Sequence, residues 1–295
     1  MRILLPADGS EYSETAARFL LRIGVGPETK ITVMHALKDY LIPDEIDPAR
    51  DFIKAGRRGA EAFVEDFKGI LAQSGAGLET TVREGPPWVE IVEAAEEIRP
   101  DLIVMGHKGT SGIARFLVGS VAHQVVRNAG YSTLIVRELP PIERPLRVLL
   151  CSDGSYWARH AMELLAALPL KDETEVHVLS VADIEATSME EKFYPDEEFS
   201  VMMETLRNFY RESAQKVVDE DANALRKRFN DVRAHVAVGI PEIEILKAAE
   251  GVRADLIVMG SKGLRGIKGA LLGSSSLRVM RQAECSVLIA KIPGK

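Results

Sequence analysis

The chain repeats itself, and that repeat constrains the fold more than any other feature. Residues 2–10, RILLPADGS, return at 147–155 as RVLLCSDGS. Residues 101–109, DLIVMGHKG, return at 255–263 as DLIVMGSKG. Pro100 to Val136 aligns without a gap on Ala254 to Ala290, and about half of the positions are identical, the signature of a duplication. The offset between halves is 145 at the start and 154 further on, so the second half carries a net insertion of nine residues. With 295 residues, each half has enough chain to bury its own core. The expected division is a first domain over 1–138, a linker over 139–146 and a second domain over 147–295. The linker stretch from Glu138 to Pro145, ELPPIERP, has three prolines in eight residues and suits an extended, stiff connection.

Each half alternates strand and helix patterns. In the first, Arg2–Pro6 is a short apolar run, and a helix begins near Ser10 or Ser13. A second strand is expected over Lys30–Ala36 and an amphipathic helix over roughly Pro48 to Gln73. A strand over Glu79–Arg83 and a helix from Pro87 to Ile98 follow, proline being tolerated in the first turn. Leu102–Met105 is apolar enough for burial on both faces. A helix starting near Ser120 and a strand over Thr133–Arg137 close the half. The second half repeats the plan with strands at Arg147–Ser152, Glu175–Val181, Arg233–Val238, Leu256–Met259 and Ser286–Lys291. Such alternation implies an α/β fold, with a parallel sheet flanked by helices in each half.

Composition narrows the function classes. A net charge of −7 argues against nucleic acid as a partner, although a local basic patch beside a phosphate is compatible with it. The N-terminal apolar run is broken by Pro6 and Asp8, unlike a signal peptide. No stretch of about 18 apolar residues suggests a membrane span. Two cysteines, Cys151 and Cys285, make no disulfide framework, and no Cys/His spacing resembles a zinc site. A cytoplasmic location is the expectation.

Ligands of open parallel sheets sit beyond the carboxyl ends of the strands. There the first half has Gly106-His107-Lys108-Gly109, nine residues, then Gly119-Ser120. The second has Gly260-Ser261-Lys262-Gly263, nine residues, then Gly273-Ser274. Glycines at a strand end let backbone N–H groups approach an anion. Gly119-Ser120 and Gly273-Ser274 fall where a helix starts, with free N–H donors and the positive end of the dipole. Lys108 and Lys262 can add charge near the same phosphates. Neither a P-loop nor a G-x-G-x-x-G after the first strand occurs. That strand ends instead in Asp8-Gly9-Ser10, and its repeat in Asp153-Gly154-Ser155. Two readings of this turn stand: the aspartate as a hydrogen-bond acceptor for ribose hydroxyls, or the Asp or the Ser as an ordinary cap of the next helix.

With these motifs in place, the chain resembles the universal stress protein family over nearly its whole length, twice. The family's ATP-binding subgroup is marked by G-x2-G-x9-G-[ST], which both halves fit. The resemblance implies two tandem Rossmann-like domains of the adenine-nucleotide-hydrolase type, each with a five-stranded parallel sheet. It implies that the early aspartate touches the ribose while the glycines and Ser/Thr hold phosphates, with a Mg2+ held mainly by those phosphates. Carried over by motif, the first site comprises Pro6, Ala7, Asp8, Met105, Gly106, His107, Lys108, Gly109, Gly119, Ser120 and Val121, with Ala36 against adenine. The second comprises Ser152, Asp153, Val181, Met259, Gly260, Ser261, Lys262, Gly263, Gly273, Ser274 and Ser275. The ligand so implied is ATP, or AMP or ADP, which present the same adenosine.

The halves differ where this matters. Pro6-Ala7 becomes Cys151-Ser152, and Val121 becomes Ser275. Between the glycines the second half has Arg265 and Lys268 where the first has Arg115, so the second site is expected to favour more phosphate or a different occupant. Single-domain relatives pair through their last strands, so Leu134-Ile135-Val136 and Val287-Leu288-Ile289 are the expected seam of an intramolecular pairing. Association of two chains into a homodimer, and the identity of a protein partner, are open at this stage.

Other residues have bland readings beside functional ones. His107 can touch phosphate, but its repeat counterpart is Ser261. Cys151 is either a redox-sensitive thiol or, more simply, a small buried hydrophobe. The acidic insert 185–200, EATSMEEKFYPDEEFS, is either a partner-binding lid or a solvated loop. Trp88 and Trp157 read as packing residues. No catalytic residue is assigned: no general base is aimed at a γ-phosphate. The leading function is a nucleotide-binding stress or signalling protein. A slow ATPase or nucleotidyl-transfer enzyme, and a nucleotide-free interaction module, are the rivals.

Overall fold

A computed structural model describes residues 1–37, 47–109, 118–183, 197–264 and 272–294. The chain divides into two compact units, Met1–Pro141 with Ile292–Lys295, and Ile142–Lys291.

The first unit runs β1 (Arg2–Pro6), α1 (Glu11–Ile23), β2 (Lys30–Leu37), α2 (Asp47–Lys68), β3 (Gly77–Glu84), α3 (Pro87–Ile98), β4 (Leu102–Gly106), α4 (Ser120–Asn128) and β5 (Thr133–Val136). Its strands are ordered β3-β2-β1-β4-β5, with every pair parallel. The chain winds outward from β1 to β3 and then returns across it to β4. The crevice between β1 and β4 is therefore a topological switch point.

The second unit runs β6 (Arg147–Cys151), α5 (Tyr156–Ala167), β7 (Glu175–Ala182), α6 (Glu197–Leu225), β8 (Asp231–Val238), α7 (Pro241–Val252), β9 (Leu256–Gly260), α8 (Ser274–Gln282) and β10 (Ser286–Ala290). Its strands are ordered β8-β7-β6-β9-β10, again all parallel. The same switch point falls between β6 and β9.

Local chemistry explains the elements. β4 and β9 are LIVMG and buried throughout, as strands covered on both faces must be. The hydroxyl of Ser10 caps α1 by accepting from the Ser13 N–H at 3.2 Å, and Ser155 caps α5 through Ala158 N–H at 3.2 Å. Asp101 and Asp255, just before β4 and β9, accept from the backbone N–H of Arg2 (2.7 Å) and Arg147 (2.8 Å) and so fix where the neighbouring strands begin. Asp255 also takes both guanidinium nitrogens of Arg144 at 2.7 Å.

Two expectations shift. The α-helix of α2 ends at Lys68 and tightens into a 3-10 turn over Gly69–Ser74, where the Ser74 hydroxyl donates to Leu71 O at 2.6 Å. Strand β3 is longer than its apolar content suggests, because all eight residues pair with β2 from Lys30 to Leu37. Backbone pairing extends an edge strand whose side chains are largely polar.

Candidate functional site

The strand ends bring most of the expected residues together. In the first unit, Asp8 Oδ1 accepts from the backbone N–H of Ser10 at 3.1 Å and from its hydroxyl at 2.6 Å. Ser10, not Asp8, is therefore the helix cap, which leaves the carboxylate turned toward the glycine loop. A Cβ on Gly109 would lie 2.5 Å from Asp8 Oδ2. The Gly119 N–H donates to His107 O at 2.7 Å, and a Cβ there would lie 3.2 Å from Lys108 Cα. Thus Asp8, Lys108, Gly109 and Gly119 converge at the β1/β4 crevice.

The second unit reproduces this. Asp153 accepts from the Ser155 N–H at 3.0 Å and from the Leu264 N–H at 2.8 Å. A Cβ on Gly263 would lie 2.7 Å from Asp153 Oδ2, and the Gly273 N–H donates to Ser261 O at 2.6 Å. Gly119 and Gly273 cap α4 and α8 without any side-chain cap hydrogen bond. Ser120 and Ser274 are exposed at the first helical positions. The first-turn N–H groups are oriented as an anion site requires.

Gly106 and Gly260 have a different reason to be glycine from the one expected. A Cβ on Gly106 would stand 2.6 Å from the carbonyl oxygen of Tyr12, and one on Gly260 2.8 Å from the Trp157 backbone. These glycines admit the first turn of α1 or α5 against the strand end. The N–H groups of His107 and Ser261 are likewise engaged, by Val136 O and Ala290 O at 2.9 Å each. Strand-like pairing of the loop therefore extends to the residue before the lysine.

Each lysine is steered by an aromatic that sequence reading did not connect with the site. Lys108 Nζ lies 5.9 Å from the Tyr12 ring centre, and Lys262 Nζ 5.2 Å from that of Trp157. Both aromatics follow the Asp-Gly-Ser turn at corresponding offsets, a correspondence the repeat shows without revealing the contact itself. Burial, then the nearby Arg137 and Lys108, push His107 down to about 4, so its ring is neutral at pH 7. It packs edge-on to Tyr12 at 4.7 Å. Burial and the charge of Lys262 push Lys291 down to about 8.

Pro6 ends β1 and Ala7 follows it, where the Ala7 N–H donates to Met34 O at 2.8 Å and Ala7 O accepts from His35 Nδ1 at 2.8 Å. Ala36 and Val181 lie two residues beyond the register partners of Pro6 and Cys151 on the adjoining strands. Met105 and Met259 are buried at the ends of β4 and β9. Val121 is half-buried in the first turn of α4. Its counterpart Ser275 donates to Glu242 Oε2 at 2.9 Å, and Arg278 pairs with the same carboxylate. Burial alone would raise the Glu242 carboxyl, but its own backbone N–H, Ser275 and Arg278 hold it below the usual value. Glu242 stands where the first unit has Trp88. Arg115, Arg265, Lys268 and most of the acidic insert lie outside the described residues.

A cleft of about 630 Å³ lies elsewhere, lined by residues including Lys30, Thr32, Glu79, Arg83 and Glu97. Its charges neutralise one another, Lys30 with Glu79 at 2.7 Å and Arg83 with Glu97, and none of the expected site residues lines it.

Fold and strand-end geometry define a tandem α/β protein with a helix-N-terminus site in each half. The sequence profile of the universal stress protein family matches residues 1–137 and again 146–291, and the chain belongs to that family. A universal stress protein of Methanocaldococcus jannaschii is 33% identical over 144 residues, 46% of this chain and 82% of that one. A universal stress protein of Mycolicibacterium smegmatis is 23% identical over 98% of this chain and 96% of its own. The crystal structure of a universal stress protein from Archaeoglobus fulgidus aligns over 98% of both chains, with a TM-score of 0.69 and 24% identity, which speaks to the fold alone. Among the described residues, no helix is long and apolar enough to cross a membrane.

Proposed function

We propose that each unit binds an adenine nucleotide at its strand ends, and that the protein works as a nucleotide-binding stress or signalling protein. The observation that carries this reading is the convergence, in both units, of an uncapped helix N-terminus, a lysine and an aspartate at a switch point. In this reading Asp8 and Asp153 receive ribose hydroxyls, while Ser120, Ser274 and the first-turn N–H groups of α4 and α8 take the phosphates. Lys108 and Lys262 add charge. Any Mg2+ is held mainly by the phosphates, since among the described residues no three His, Cys, Asp or Glu side chains converge. Turnover is slow, because His107 is buried against Tyr12 rather than presented as a base. A cytoplasmic setting accords with two cysteines that form no disulfide.

The test is to denature freshly purified protein and identify the released small molecules by mass spectrometry. About two adenine nucleotides per chain is the result expected from two such sites. None released, with no uptake of ATP and magnesium on re-addition, overturns the reading and leaves an interaction module.

A further inference from the structure

We propose that Asp221 is a positioning residue of the second strand-end site, holding the Asp153 turn in place through the hydroxyl of Ser152. The inference rests on the nucleotide-binding reading above and names what makes the two sites unequal.

The repeat aligns the two units around this turn. Gly9 packs against Phe63, with a Cβ there 3.6 Å from the ring, and Gly154 packs against Val217, with a Cβ there 2.9 Å from its methyl. In that register Asp221 occupies the place of Phe67, and Ser152 that of Ala7. The first turn is thus backed by apolar packing: Phe67 and Ala7 are buried, and the Phe63 ring lies 5.6 Å from Phe67 and 5.3 Å from His35. The second is backed by a relay. Buried Ser152 donates its hydroxyl proton to Asp221 and accepts the Gly154 N–H at 3.4 Å. Gly154 adjoins Asp153, whose carboxylate then takes the Ser155 and Leu264 N–H groups.

The relay depends on charge. Asp221 Oδ2 is buried without a hydrogen-bond partner. Burial raises the Asp221 carboxyl, as do Glu220 on its own helix and Asp153 across the turn. The Ser152 hydroxyl and Arg159 of α5 oppose the rise. An ionised Asp221 makes a charge-assisted bond to Ser152, about twice as strong as a neutral one, and protonation removes that assistance. The second site therefore weakens in acid, whereas the first has no carboxyl at the equivalent position.

The experiment uses the full chain carrying Gly109→Ala to weaken the first site, titrated calorimetrically with ATP and MgCl2 between pH 8 and pH 5. Asp221→Asn, which keeps an acceptor without a titrating charge, is compared with that parent. The expected result is an acid-side loss of affinity in the parent that is flattened in Asp221→Asn. At pH 7.5, Ser152→Ala and Asp221→Ala should each weaken binding about fivefold, and the double variant no further, as one shared hydrogen bond predicts. A role confined to stability would lower Tm and leave the pH profile of ATP affinity unchanged, which overturns the proposal. So does a Gly109→Ala protein that binds no ATP while the unmodified chain binds one equivalent, although nucleotide binding by the first unit then survives. No ATP bound by either protein overturns both readings.

Discussion

The Asp8 carboxylate fills the space that a side chain on Gly109 would need: a Cβ there would stand 2.5 Å from Oδ2. The repeat makes the same contact between Gly263 and Asp153 at 2.7 Å. Both contacts are shorter than side-chain carbons tolerate, so Gly109→Ala must displace the aspartate or the loop. ATP binding at the first site should weaken about tenfold, equivalent to about 1.4 kcal/mol, while Gly263→Ala does the same at the second. Nucleotides counted per chain by equilibrium dialysis check this. Wild-type stoichiometry and affinity in both variants would remove the Asp–Gly contact from the site.

Gly106 and Gly260 should behave differently, because the obstructing atoms belong to the backbone of α1 and α5. Gly106→Ala forces the helix off the strand end and should destabilise the first unit by about 1–3 kcal/mol, the usual range for overpacking. Urea unfolding reads the loss. A variant of unchanged stability would show that the helix yields freely.

How much of this was legible from sequence depends on the residue. The repeat, the parallel order and the G-x2-G-x9-G spacing follow from local pattern, and β4 and β9 lie where LIVMG put them. The reason for each glycine was not legible. Gly106 and Gly109 look alike in a motif, yet one clears a helix backbone and the other a carboxylate. Spacing records that a Cβ is excluded, not what excludes it. The relay at Asp221 was visible only as a substitution of Phe67 within a duplicated helix, and its meaning needs the fold that brings Ser152 beneath it. The Tyr12–Lys108 and Trp157–Lys262 contacts cross from one helix to a distant loop, which periodicity cannot report.

Histidines make the fold acid-sensitive. His177 Nδ1 and His235 Nε2 lie 2.9 Å apart, with their rings stacked at 5.1 Å. Burial, then the charges of His235 and Arg233, lower His177; burial and Arg233 lower His235. A histidine with a folded pKa below 6.5 binds its proton more readily when unfolded, so stability is complete above 6.5 and is lost as pH falls. The contribution of His107 is spread from 6.5 down to about 4. Replacing His177 and His235 by threonine, as at Thr32 and Thr81, should raise Tm at pH 5 relative to wild type by a few degrees or about 3–5 °C, with little change at pH 8. Equal shifts at both pH values would refute the titration account.

Arg99 and Arg253 end α3 and α7 in the left-handed conformation, both at φ 51°. That backbone is strained for any residue with a Cβ. Arg99→Gly and Arg253→Gly should each stabilise the fold by about 0.5–1 kcal/mol, since the relieved strain exceeds glycine's added chain entropy. Chemical denaturation decides it, and a net loss in both would mean that the arginine side chains contribute more than their backbone strain costs.

The two thiols should separate cleanly by reactivity. Cys151 is buried at the end of β6, and burial pushes its thiol well above the usual cysteine range, with Cys285 adding to the rise. A thiol held protonated in an apolar setting is a poor nucleophile and resists oxidation, so Cys151 acts as a small hydrophobe beside the second site. Cys285 is half-buried just before β10 and reaches solvent more readily. An aromatic disulfide reagent added to native protein should modify Cys285 and leave Cys151 untouched until denaturant is added, as peptide mapping can show. Cys151→Ala should then leave ATP binding unchanged while lowering stability modestly, by about 1 kcal/mol for the lost contacts. Rapid modification of Cys151 in the folded chain, slowed by ATP, would instead make it an accessible thiol at the mouth of the site.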